Sequence, residues 1–180
     1  MKRLLGIVVC LVSVNSVLAQ EKARRPMKVD DLFAFRRVAD PQISPDGKLV
    51  AYVVGTVDLA GNRSTSNIWL LSTASGKSRP LTNAHKSDRH PRWSPDGRFI
   101  LFESNRSGEM QLWAISIHGG EAQQLTDLST GAGTGLWSRD GKRVAFVSAV
   151  WPEFSNKPFK ESNALNQKRS EESAKNPVKA

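Results

Sequence analysis

Ser44-Pro45-Asp46-Gly47 recurs as Ser94-Pro95-Asp96-Gly97, and a near copy, Ser138-Arg139-Asp140-Gly141, follows. The copies lie 50 and then 44 residues apart. The second interval is shared by Trp93 and Trp137, Trp69 and Trp113, Gly76 and Gly120, and Leu81-Thr82 and Leu125-Thr126. A period of about 40–45 residues with turn signals inside each unit is the spacing of a four-stranded β-propeller blade. A generic β-sandwich has no reason to keep a fixed period. The extra residues of the first interval fall at Asp58 to Ser66, where they predict a longer hairpin loop.

Apolar runs separated by turn residues divide the second unit into four short strands: Pro91 to Ser94, Arg98 to Ser104, Met110 to Ile117 and Glu121 to Leu125. Pro95 presets φ for a turn, and Gly97 supplies the positive φ that a bulged hairpin needs. Phe99, Ile100, Leu101 and Phe102 are consecutive apolar residues, so the strand they form must be covered on both faces, as in stacked blades. Leu49 to Tyr52 and Val144 to Val147 repeat the run in the other units. Trp69, Trp93, Trp113 and Trp137 recur in register and are read as blade-core positions rather than a stacking platform.

Lys2 and Arg3 precede an apolar run from Leu4 to Val14, and Val17-Leu18-Ala19 has the pattern of a cleavage site, which together describe a secretory signal peptide over residues 1–19. The run is too short for a membrane span, which needs about 20 apolar residues. Cleavage after Ala19 therefore leaves no membrane anchor. Cys10, the only cysteine, goes with the leader, since Val9 is larger than the residue expected before a lipidated cysteine. An exported chain without disulfides fits a bacterial periplasm.

The net charge of +9 falls to +7 without Lys2 and Arg3, and the basic residues are scattered rather than gathered in a stripe. A solvated basic surface is therefore the reading, not nucleic-acid binding. Residues 20–40 carry a predicted short helix, Val29 to Val38, with Asp30 as its cap and Val29 and Phe33 four apart. Blades occupy residues 41–152. Residues 153–180 are polar and read equally as a helical insertion or a loop.

The third unit supplies two strands, Leu136 to Ser138 and Arg143 to Ser148, but no later Trp strand and no closing Leu-Thr. The fold class is therefore all-β: a partial propeller of about two and a half blades, against the four to eight of a closed ring. It is expected to be the front portion of a larger protein.

Lys28-Val29-Asp30-Asp31-Leu32, then Arg36-Arg37-Val38 and Asp40-Pro41-Gln42-Ile43-Ser44-Pro45-Asp46-Gly47, resemble the start of secreted peptidases of the prolyl oligopeptidase family, in the dipeptidyl peptidase and acylaminoacyl peptidase branch. Asp88 to Ser94, Glu103 to Gly108 and Gln124 to Gly131 extend the likeness, which covers roughly residues 27–152. The Ser-Pro-Asp-Gly repeat alone is shared with the periplasmic propeller of the Tol system, a non-catalytic protein binder; the order of the flanking motifs favours the peptidases.

The resemblance implies a propeller that filters short peptides into a carboxy-terminal α/β-hydrolase domain with a Ser, Asp and His triad. Such a domain needs a G-x-S-x-G elbow, and this sequence has none. No catalytic, cofactor-binding or metal residue is therefore assigned, and peptide substrates are expected to meet the hydrolase domain rather than this chain.

Three weaker patterns remain. His85, Asp88 and His90 are close in sequence, but nothing completes a metal site, so a polar inter-blade loop is favoured. Gly131-Ala132-Gly133-Thr134-Gly135 fails the phosphate-loop pattern and is read as a flexible connection. Asn62-Arg63-Ser64 and Asn105-Arg106-Ser107 are formal glycosylation sequons that turn chemistry explains without sugar.

Overall fold

Each Ser-x-Asp-Gly turn is closed by the same four atoms. In the computed structural model, which describes residues 25–175, the Ser94 hydroxyl donates to Asp96 Oδ1 at 2.6 Å and accepts the Phe99 amide at 2.9 Å, while the Arg98 amide donates to the same carboxylate oxygen. Ser44 with Asp46, Lys48 and Leu49 repeats this arrangement, as does Ser138 with Asp140, Lys142 and Arg143. Gly47, Gly97 and Gly141 hold φ of 72°, 69° and 68°, a left-handed backbone that favours glycine. The local chemistry of four residues thus starts each blade with a hairpin.

The first sheet runs β1 (Arg37–Ile43), β2 (Leu49–Asp58), β3 (Arg63–Ser72) and β4 (Ser78–Pro80), all antiparallel. The second runs β5 (Asp88–Trp93), β6 (Phe99–Ser104), β7 (Gln111–Ser116) and β8 (Gln123–Gln124), and β9 (Gly133–Trp137) pairs with β10 (Val144–Val147) in a third. The Leu-Thr signals end the outer strands by one mechanism. The Thr82 hydroxyl accepts the Ile68 amide at 3.0 Å, and the Thr126 hydroxyl accepts the Leu112 amide at 2.9 Å.

Stacking of the sheets makes the core. Ile100 and Phe102 turn toward the first sheet and join Ala51, Ile68 and Leu70; Leu101, one residue out of phase, joins Leu112, Leu128 and Ala132 on the other face, toward the third sheet. A strand side-chain period of two explains why a continuous apolar run was needed. Phe99 departs from the run and is 40% exposed at the strand's start. Trp93 and Trp113 flank the first cluster and Trp137 the second, each half-buried. The sheets do not close into a ring, and Phe146 and Val147 on β10 remain exposed.

Three expectations are corrected and one open alternative is decided. The helix predicted over Val29 to Val38 is one turn, α1 (Asp31–Ala34); Phe35 is extended, and Asp30 makes no side-chain cap bond. A single turn is marginal alone, and Arg37 and Val38 gain ladder pairing with Gly55 and Val54 instead, so the first blade starts at Arg37. The extra residues of the first unit lengthen strands rather than a loop. β2 and β3 are 10 residues each against 6 for β6 and β7, and the loop between them, Leu59 to Asn62, is short.

Gly131 to Gly135 is no flexible connection. Gly133 to Gly135 lie in β9, and a Cβ on Gly135 would stand 2.8 Å from a Leu112 methyl and 2.9 Å from a Leu101 methyl, so any larger residue there would displace these buried side chains. Finally, of the helix and loop readings of residues 153–180, the helix is the one found among the described residues: a one-turn 3-10 helix, Pro152–Phe154, leads into α2 (Phe159–Lys175). Asparagines hold α2 rather than an apolar stripe: Asn163 Oδ1 accepts the Ser129 amide at 2.9 Å, and buried Asn166 accepts the Trp151 amide at 2.8 Å. The leader read at residues 1–19 lies outside the described residues.

Candidate functional site

The innermost strands identify themselves by their neighbours. β1, β5 and β9 are each the edge of a sheet, and β5 packs against both β1 and β9 across the blade boundaries, whereas the β4 and β8 strands pack only on their own sheets, Arg79 of β4 alone reaching over to donate to Ile117 O. Blades that meet at one edge and part at the other radiate from an axis, so β1, β5 and β9 form the wall of the propeller's channel.

Each of these strands carries the same irregularity. Asp40, His90 and Thr134 are non-glycine residues with φ of 47°, 54° and 54°. They stand four residues before the serine of each turn, and thus in the register of the repeat. Pairing slips between Ala39 and Gln42 in β1 and between Arg89 and Arg92 in β5, so a bulge accompanies the left-handed residue in both. A left-handed backbone at a non-glycine residue costs roughly 1–3 kcal/mol and concentrates at functional positions. Bulges re-aim side chains and end regular pairing. Three blades thus break regular pairing at one height on the channel wall.

Carboxylates stitch the seams there. Asp40 accepts Gln42 Nε2 at 2.8 Å and Arg92 Nη1 at 3.0 and 3.1 Å from the next blade, and His90 Nδ1 lies 3.7 Å from it. Glu103, with a side chain only 5% exposed, accepts Arg89 Nε at 2.9 Å and the Thr134 amide at 2.7 Å. It therefore holds the left-handed residue of the third blade from the second. Trp93 Nε1 donates to Gln42 O at 2.8 Å and adds to the first seam.

Behind the wall, Asp88 is fully buried and accepts Arg106 Nη2 at 2.8 Å. The Arg106 guanidinium lies 5.2 Å from the Phe102 ring centroid and 5.0 Å from that of Trp113. The structure thus separates His85, Asp88 and His90: His85 sits exposed in the connection before β5, Asp88 is held by Arg106, and His90 stands on the channel wall. Among the described residues no group of three His, Cys, Asp or Glu side chains is placed to hold a metal ion. Asn105 Oδ1 accepts the Ser87 amide at 2.9 Å, a turn-stabilising role for the second sequon.

Sequence reading missed the bulges and both seams. The signal for the bulges was present, since Asp40, His90 and Thr134 repeat with the serines, but the three residue types differ and show no pattern by identity. The Asp40–Arg92 pair joins residues 52 apart, which no local rule anticipates.

Residues 28–171 match the TolB beta propeller domain family, PD40. Over 86 residues the chain is 43% identical to the uncharacterized peptidase YuxL of Bacillus subtilis, a match covering 48% of this chain and 13% of that protein. Over 76 residues it is 33% identical to dipeptidyl-peptidase 5 of Porphyromonas gingivalis, covering 42% of this chain and 11% of that protein. The chain thus matches only a small part of these relatives' length. Among solved structures, a putative TolB from Agrobacterium tumefaciens superposes with a TM-score of 0.52 at 33% identity, covering 59% of this chain and 36% of that one. The acylaminoacyl peptidase of Pyrococcus horikoshii superposes with a TM-score of 0.54 at 24% identity, covering 66% and 18%, and shares the fold. The resemblance to peptidase propellers read from the sequence therefore stands in both relatives and fold. With four-fifths of its length inside one domain family, the chain belongs to the TolB β-propeller domains.

Proposed function

We propose that this chain is the propeller portion of an exported serine peptidase that cleaves short peptides, and that the propeller gates access to an α/β-hydrolase domain encoded beyond these residues. The observation that carries the reading is the 43% identity, over 86 residues, to a protein named a peptidase. The radial arrangement suits it: β1, β5 and β9 wall a passage whose width limits what enters, so folded proteins are excluded and extended peptides admitted. The gate supplies no bond-breaking chemistry itself; in this reading the nucleophile, base and oxyanion donors belong to the hydrolase domain. Export follows from the leader, and mass spectrometry of the periplasmic protein should find its amino terminus at Gln20.

A second reading is favoured by one observation, the 33% identity to a putative TolB: a non-catalytic propeller that binds protein partners at the cell envelope. Reading the coding frame downstream of Ala180 separates the two. Further Ser-Pro-Asp-Gly units followed by G-x-S-x-G, then Asp and His, support the peptidase. A frame that closes after the last blade overturns it and leaves the binding propeller.

A further inference from the structure

The charges on the channel wall are unevenly presented. On β1 and β5 the arginines stand outward, with Arg37 exposed and the Arg89 side chain 51% exposed, and the His90 imidazole beside them is 49% exposed. The carboxylates that balance them are withdrawn: Asp40 is 24% exposed, Glu103 5% and Asp88 0%. Asp40 and Asp88 are the only acidic residues on the three inner strands, and each is engaged by an arginine. Of Arg89, only Nε is used by Glu103, so its terminal nitrogens remain available as donors. The left-handed backbone at His90 takes that side chain out of the strand's alternation, on a strand whose free edge faces the axis.

We propose that this wall is an anion-selective surface, and that Arg89 and Arg37, with the His90 imidazole as a hydrogen-bonding neighbour, favour peptides bearing carboxylate side chains over neutral ones of equal size. The inference deepens the proposed function, since it rests on peptides entering the passage. Glu103 does double duty at Arg89: it neutralises part of the charge and fixes the guanidinium plane through Nε while the outer donors stay free. An arginine so held loses less freedom on binding a carboxylate than a loose one does. Each exposed ion pair formed is worth up to about fivefold in affinity.

The test is an amide NMR titration of the full chain with two blocked hexapeptides, alternating Ala-Glu and alternating Ala-Gln. The acidic peptide should bind at least about fivefold more tightly, shift the amides of β1, β5 and β9, and lose its advantage in about 1 M salt, where the Debye length is about 3 Å. Arg89→Gln and, independently, Arg37→Gln should each narrow the difference; among the described residues the Arg37 side chain makes no ion pair or hydrogen bond, so its replacement reads charge without loosening the blades. Equal binding of the two peptides, or shifts confined to other strands, overturns the proposal. Assaying hydrolysis of the same pair by the protein from the full reading frame keeps the two readings apart. Acidic-selective binding without cleavage of either peptide sinks the peptidase reading and leaves this one standing.

Discussion

Replacing Ser94 by alanine should be costly, and replacing Ser138 by alanine should be cheap, although the two serines make the same bonds. Ser94 is 3% exposed, and its hydroxyl links the Phe99 amide to Asp96 in the groove between the second and third turns. Ser94→Ala leaves that amide without its acceptor where water cannot readily replace it, a loss of about 1–3 kcal/mol. Ser138 repeats the network in a turn open to solvent, so water substitutes and about 0.5 kcal/mol is expected. The assay is urea unfolding followed by tryptophan fluorescence, with Tm as a second readout at about 2–4 °C per kcal/mol for a chain of this size. The pH dependence adds an independent check. Asp96 is held down to about 2, chiefly by the Ser94 hydroxyl and then by the Arg98 side chain. A carboxylate with a lowered folded pKa stabilises the protein above its unfolded value near ~4 and loses that contribution as pH falls through the folded value. The gap between wild type and Ser94→Ala should therefore narrow from about pH 7 toward about pH 2. Equal costs at the two serines, or a gap that widens in acid, would refute the argument that burial sets the value of the turn.

Phe102→Ala, which empties a fully buried position at the blade interface, should cost about 3–5 kcal/mol by urea unfolding. Arg106→Lys keeps the charge opposite Asp88 but forfeits the bond to Ser104 and the stacking on Phe102 and Trp113, and a drop in Tm with quenched or shifted Trp113 emission is expected. Gly135→Ala drives a methyl against Leu101 and Leu112 and should cost about 1–3 kcal/mol, with faster hydrogen exchange along β9 as the marker of a parted seam. Glu103→Gln should accelerate exchange of the Thr134 amide less than Glu103→Ala does, because the amide oxygen can still accept that bond.

The parts of this fold that were legible in sequence are those whose cause lies within a few residues and is repeated. A serine, an aspartate and a glycine in four positions close a hairpin on their own atoms, so three copies at blade spacing announce three blades before any tertiary contact is known. The run Ile100-Leu101-Phe102 was legible for a related reason, since a strand apolar at successive positions has two faces to bury. What failed shared a different cause. The helix over Val29 to Val38 lost to β2, a partner that the local pattern could not weigh. α2 is anchored by Asn163 and Asn166 to the backbone of residues about 15 to 34 positions earlier, so polarity that looked like solvation is attachment.

The channel wall lies at the end of this scale. Its backbone signal repeats, because Asp40, His90 and Thr134 occupy one register, yet the residue types vary because each blade meets a different neighbour. Asp40 finds Arg92, Thr134 finds Glu103, and His90 keeps a half-exposed side chain beside Asp40. A structural repeat needs its residues conserved from blade to blade, as the turn serines are. Positions that keep a strained backbone while changing side chain from blade to blade are under a second demand, and the only new surface they all share is the passage. Under the proposed peptidase reading, that variation, rather than the repetition, is what would fit the wall to the peptide it meets.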